Sequence, residues 1–116
     1  MAMAIRDENL WVRKEELEDF ARRALERADV PPAAAEITAA HLVAADVRGV
    51  DTHGVVRLPI YVKRIRRGDV QADAEPQVVM ETATTAVLDA RNALGQVASH
   101  RAMGLAISKA RQHYLG

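Results

Sequence analysis

Between the break at Val30-Pro31-Pro32 and Gly49, the chain runs from Ala33 to Val47 with only Glu36, Thr38, His41 and Asp46 interrupting its apolar side chains. A helix that is apolar nearly all round persists in water only when covered on several sides. This segment, predicted to be helical from about Pro32 to Arg48, is therefore the centre about which the rest must fold. Pro32 suits the first helical position, where its missing N–H has no partner to lose. The material available to cover the segment is slight: of 116 residues one is Trp, one Phe and two Tyr, although 49% are hydrophobic. A core of Ala, Val, Leu and Ile buries little area per residue, and at roughly 25 cal/mol per Å2 it is thin. The segment is expected to be the most buried element, packed by the first and third helices and by a second subunit.

From Lys14 to Ala28, the residues Leu17, Phe20, Ala21, Ala24, Leu25 and Ala28 recur at i, i+3, i+4, i+7 and predict a first helix with one buried stripe. Glu18 with Arg22 and Asp19 with Arg23 pair at i, i+4, acid first, on its solvated face. A third helix is predicted from Val55 or Val56 to Arg67, with Leu58, Tyr61, Val62 and Ile65 on one face. Pro59 is tolerable only near its first turn, and Gly68 caps its end. Gln77–Glu81 and Thr85–Asp89 read as two strands of a hairpin about Thr82-Ala83-Thr84. Gly95 to Arg111 predicts a fourth helix with Val97, Ala98, Met103, Ala106, Ile107 and Ala110 buried. The expected fold class is α+β and mostly helical: about four helices and a short β-hairpin, with a helical segment at 1–68 followed by the hairpin and last helix at 69–116.

Charge and composition close off several classes of function. Sixteen Lys and Arg balance sixteen Asp and Glu, and non-specific nucleic-acid binding needs an excess of cations to neutralise phosphates. Arg57, Lys63, Arg64, Arg66 and Arg67 cluster on the third helix, but without interleaved aromatics they read as a solvated face. No apolar run approaches the ~20 residues of a membrane span, and the first residues, Met1 to Glu8, lack the plan of a signal peptide. The absence of cysteine excludes disulfides and thiolate chemistry and fits a reducing, cytoplasmic setting. His41, His53, His100 and His113 show no i, i+4 pairing and no H-E-x-x-H, so no metal site is expected.

The densest polar group is Arg48-Gly49-Val50-Asp51-Thr52-His53-Gly54-Val55-Val56-Arg57. A histidine between glycines can approach a ligand closely and pass a proton near neutral pH, and an arginine four residues later can grip a carboxylate with two parallel hydrogen bonds. That pairing suits a 2-oxo or 2-hydroxy acid, and the region is expected to face a cleft with His53 accessible. The same residues also fit a plain loop histidine bonded to backbone, with Arg48 and Arg57 in surface ion pairs. Asp89 to Gln96 leads from a strand into a helix whose first residues, Gly95 and Gln96, form a weak candidate anion site; a plain strand-to-helix turn fits as well. There is no G-x-G-x-x-G.

From near Leu10 onward the chain resembles the malate/L-lactate dehydrogenase family of non-Rossmann NAD(P)-dependent oxidoreductases, which includes ureidoglycolate, sulfolactate and diketogulonate-type dehydrogenases and cyclic-imine reductases. The resemblance rests on Ala45 through Gly54, on Arg57-Leu58-Pro59 with Tyr61, Arg64 and Gly68, and on Asp89-Ala90 through Gly95-Gln96-Val97-Ala98 with Ala102-Met103 and Ala106. It implies that His53 belongs to the acid–base machinery that protonates a carbonyl or imine, and that Arg57 and Arg48 bind the substrate carboxylate. Thr52 stands where the family commonly has Ser and keeps the hydroxyl of a relay. Asp51 is adjacent and is not expected to orient His53. The cofactor implied is NAD or NADP, the substrate a small 2-oxo or 2-hydroxy acid, the assembly a homodimer, and residues 69–116 the beginning of a cofactor and substrate domain. The resemblance spans about the first third of the family's chains. A second histidine motif, Asn-x-His-x-Gly, most of the nicotinamide site and the main sheet lie beyond that third. Two expectations follow: the N-terminal part of such an oxidoreductase, inactive alone, or a small helical interaction module acting only through a partner chain.

Overall fold

A computed structural model of the chain describes residues 11–116; Leu10 and the segment from Met1 to Glu8 lie outside the described residues. Helices α1 (Lys14–Glu26) and α2 (Pro32–Val47) are followed by two short 3₁₀ turns, Asp51–His53 and Val55–Arg57, and by α3 (Leu58–Arg66). Strands β1 (Gln77–Glu81) and β2 (Ala86–Asp89) precede the final helix α4 (Gly95–His113). The predicted class, mostly helical with one hairpin, is the observed one.

The centre of the molecule is α2, whose Ala35, Thr38, Ala39, Leu42 and Val43 are buried. Alanines at the crossing let α1 approach closely, so that Ala21 and Leu25 of α1 meet Ala35, Ala39 and Leu42 in one cluster with Val30, Leu58 and Leu94. The covering differs from expectation: α2 packs on α1, α4 and both 3₁₀ turns, whereas α3 packs on α1. Within α1, Phe20 is 57% exposed, because Ala21, Leu25 and Ala28 fall within about 60° of one another at 3.6 residues per turn and Phe20 lies about 100° from Ala21, away from that line. Glu18 pairs with Lys14 rather than Arg22, since Arg22 is held between Asp19 at 2.6 Å and Glu26 at 2.7 Å; Asp19 also meets Arg23 as expected.

The third helix begins later than its apolar pattern predicts. Pro59 has no N–H to give the Val55 carbonyl, and its ring would crowd that carbonyl in an α-helix. The Leu58 N–H bonds Val55 O instead, so residues 55–57 wind as a 3₁₀ turn. Helices α1, α2 and α3 end alike: the backbone turns left-handed at Asp29 (φ 64°), Gly49 (φ 74°) and Gly68 (φ 77°). In each case the next amide reaches five residues back, as in Val30 N to Leu25 O at 3.1 Å and Val50 N to Ala45 O at 2.9 Å, the Schellman closure.

The hairpin pairs Val78 with Leu88 and Met80 with Val87, leaving a bulge at Val79. Every residue of β1 is exposed, while Ala86 and Leu88 of β2 are half-buried against α4. Lys109 is the buried residue of α4; its ammonium reaches the Glu81 carboxylate at 2.8 Å and the Thr82 carbonyl, joining helix to hairpin. Met103 and Ile107, expected in the core, are 61% and 45% exposed; they line an open hollow beside His41 of α2 and are not packed into the core. Between β2 and α4, Arg91 and Asn92 both adopt positive φ, and the Ala93 amide closes a turn on Ala90 O at 2.9 Å.

Candidate functional site

The end of α2 builds the site. Once Gly49 has reversed the chain, the first 3₁₀ turn is closed by His53 N to Val50 O at 2.9 Å and Gly54 N to Asp51 O at 3.2 Å. Gly54 then runs extended (φ −87°, ψ −153°) into the second turn, which is closed by Arg57 N to Gly54 O at 3.0 Å. His53 and Arg57 thus sit on consecutive turns of one short loop.

Three of the residues singled out in the sequence are joined there. The Thr52 hydroxyl lies 3.0 Å from His53 Nδ1, which engages one ring nitrogen and leaves Nε2 as the outward one; His53 itself is exposed. Arg57 Nε donates to Thr52 O at 2.8 Å, so its side chain spans from the second turn to the first. Neither Arg57 nor Arg48 takes part in an ion pair among the described residues, contrary to the plain surface-pair alternative. Arg48 caps α2 through its backbone and shares no hydrogen bond with the other three. Beside the loop lies a wide, mostly apolar depression lined by Asp51, Thr52, Val56, Arg57 and Ile60. It is open rather than a cleft, and His53 stands outside its lining.

The glycines flanking His53 also have structural duties. Gly49 supplies the positive φ of the helix end. Gly54 has an ordinary extended backbone, yet a Cβ there would overlap the Asp46 carboxylate. Asp46 accepts the Val55 N–H at 2.9 Å. Nothing in the sequence reading assigned Asp46 a role, although a signal was present. An acid in the last turn of an apolar helix stands at the negative end of the macrodipole and calls for a specific partner.

Gly95 and Gln96 lie apart from this loop. The space beside Gly95 is open, and the Gln96 side-chain amide donates to Tyr61 OH at 2.9 Å, tying α4 to α3. His41 and His100 come together across α2 and α4 with ring centroids 5.8 Å apart, but no group of three potential metal ligands converges among the described residues. No helix among them is long and apolar enough to cross a membrane.

A helical α+β unit that presents a hydroxyl-backed histidine and a loop-anchored arginine at the mouth of its central helix is one arrangement that supports proton exchange beside a bound anion. The sequence profile of the malate/L-lactate dehydrogenase family matches residues 12–116, and the chain belongs to that family. Malate dehydrogenase of Pyrococcus horikoshii is 42% identical over 111 residues, which is 95% of this chain and 31% of that protein. The (2R)-3-sulfolactate dehydrogenase (NADP(+)) of Chromohalobacter salexigens is 40% identical over 97 residues, 84% of this chain and 29% of that one. The solved structure of the Pyrococcus horikoshii malate dehydrogenase superposes with a TM-score of 0.89 at 38% identity, over 97% of this chain and 32% of its own. The chain therefore spans about a third of the length of the relatives it matches.

Proposed function

We propose that this chain supplies the acid–base and carboxylate-binding part of an NAD- or NADP-dependent oxidoreductase that interconverts a small 2-oxo acid and its 2-hydroxy acid. The observation that carries the reading is the Thr52–His53–Arg57 linkage: a hydroxyl 3.0 Å from Nδ1 and a guanidinium held 2.8 Å from the Thr52 carbonyl. With Nδ1 engaged by Thr52, Nε2 is the nitrogen that exchanges a proton with the substrate oxygen, donating it on reduction and recovering it on oxidation. The Arg57 Nη groups, with Nε anchored, face a carboxylate as a two-pronged donor, and Arg48 adds a second cation at the end of α2.

The nicotinamide supplies the hydride in such chemistry. The described residues do not by themselves fit that cofactor: the opening turn of α4 has room at Gly95 but commits the Gln96 amide to Tyr61, and dinucleotide binding needs pyrophosphate donors together with walls for two rings. Malate and sulfolactate in the names of the relatives support a small acid as substrate, and the NADP(+) of one supports a nicotinamide cofactor. The reading includes a division at 1–68 and 69–116, a homodimer, and a cytoplasmic setting in keeping with a chain free of cysteine.

The test is made in an active enzyme carrying this sequence. His53→Ala is expected to lower kcat by ~10²–10⁴-fold, the usual worth of a general acid or base, and Arg57→Ala mainly to raise KM for the 2-oxo acid. Equal and small effects of both would place the chemistry elsewhere.

A further inference from the structure

We infer that Asp46 is the positioning residue of this site: its carboxylate, seated against Gly54 and bonded to the Val55 amide, locks the His53 turn and the Arg57 turn into one arrangement. The inference rests on the roles given above to His53 and Arg57, but its physical basis is independent of them.

Three observations converge. First, Asp46 stands at the end of α2 where carbonyls point outward, a place that disfavours an acid, and it joins no ion pair among the described residues; what holds it is the Val55 N–H at 2.9 Å. Second, the backbone of Gly54 is one that any residue adopts (φ −87°), so what a side chain there would displace is the Asp46 carboxylate, which fills the space of a Cβ. Residues 46 and 54 are thus fitted to each other. Third, each 3₁₀ turn is closed by its own backbone bonds, and none of those bonds crosses from the first turn to the second. The Val55 amide, at the junction, has Asp46 as its partner. Only the Arg57 side chain, through Thr52 O, also bridges the two turns. Remove the carboxylate and Gly54 becomes a free hinge between the proton carrier and the anion binder. Through it, the most buried helix of the molecule imposes its rigidity on an exposed loop, which is what orientation of two groups toward one substrate demands.

The experiment uses the 15N-labelled chain in five forms: wild type, Asp46→Asn, Asp46→Ala, Gly54→Ala, and the last two combined. Helical circular dichroism confirms the fold. Asparagine keeps an oxygen for the Val55 N–H, so Asp46→Asn should match wild type in Val55 amide protection and in the His53 ring-nitrogen shifts. Asp46→Ala should lower that protection at least tenfold and bring the two His53 nitrogens toward free-imidazole values. Gly54→Ala should lower the melting midpoint, and adding Asp46→Ala should raise it again by making room for the new methyl, a coupling that independent structural roles would not produce. Unchanged His53 signals in a folded Asp46→Ala chain, or altered ones in Asp46→Asn, would overturn the inference. So would a Gly54→Ala effect indifferent to residue 46. Should Asp46→Ala fail to fold, the Asparagine variant and Gly54→Ala decide: wild-type Val55 protection in Gly54→Ala overturns the lock, and its loss there with retention in Asp46→Asn supports it. Loss of the catalytic reading is a different result: His53→Ala would leave turnover intact while these spectra stayed as expected.

Discussion

Thr38 is fully buried on α2, and its hydroxyl has no hydrogen-bond partner among the described residues. Leaving a buried donor and acceptor unsatisfied costs about 1–3 kcal/mol, and valine has nearly the same shape without the polar atom. Thr38→Val is therefore expected to stabilise the chain by about 1 kcal/mol in urea denaturation; a loss of stability would show that the hydroxyl has a partner after all. Leu42, 1% exposed in the same helix, gives the opposite outcome: Leu42→Ala should cost about 2–5 kcal/mol, the price of lost burial and a residual cavity. The polar interruptions of α2 were visible in the sequence, but which of them faced inward was not. Periodicity places residues around an axis; a nearly uniform apolar segment has no single direction to read.

Helix ends decide where the loops go. Gly49 has open space around the position of a Cβ, so any effect of Gly49→Ala comes from its positive φ and should be a destabilisation of about 1–2 kcal/mol. Asp29 occupies the equivalent place at the end of α1 with φ 64°; Asp29→Gly should leave stability equal or raise it by up to about 1 kcal/mol, and thermal melts of the pair separate the two signs. Along α1, the hydrogen bond from Arg22 lowers the Asp19 pKa against desolvation, the next largest effect, and the nearby Arg23 and Arg22 charges add to the lowering. A carboxylate with a lowered folded pKa stabilises above its unfolded pKa and ceases to do so as pH falls through the folded value. The difference in stability between Asp19→Asn and wild type should accordingly be present at neutral pH and vanish in strong acid. The Asp19–Arg23 pair and the glycines that end α2 and α3 were legible because each depends on neighbours within five residues, whereas the choice of Arg22 for Asp19 and Glu26 over Glu18, and the left-handed Asp29, were not read. The late start of α3 was not read: the sequence placed it at Val55 or Val56 with Pro59 near its first turn, and the structure begins it at Leu58.

At the scale of the molecule, apolar side chains remain uncovered: Val56 at 65%, Met103 at 61% and Ile107 at 45% exposure. In keeping with the proposed homodimer, light scattering is expected to report a dimer, and a monodisperse monomer would count against it. The purified chain alone is expected not to bind nicotinamide cofactor tightly, since among the described residues the candidate pyrophosphate site is the helix start at Gly95, without enclosing walls. Saturation of NADH or NADPH fluorescence in the low micromolar range would show that the cofactor site lies within these residues.

What the sequence determined by itself is local: the extents of α1, α2 and the hairpin, the glycines that end α2 and α3, and the loop where Thr52, His53 and Arg57 meet. Each follows from propensity, period or turn chemistry acting over a few residues. What only the tertiary structure decided is which stripes found a neighbour. α4 covers α2 while α3 leans on α1, Met103 and Ile107 stay outside, and Lys109 goes in because the Glu81 carboxylate and Thr82 carbonyl are there to receive it. Asp46 belongs to that second group. Its meaning lies in Gly54 and Val55, brought beside it by the reversal of the chain, and a side chain's partner across such a turn is a fact of three-dimensional packing that no pattern along the chain encodes.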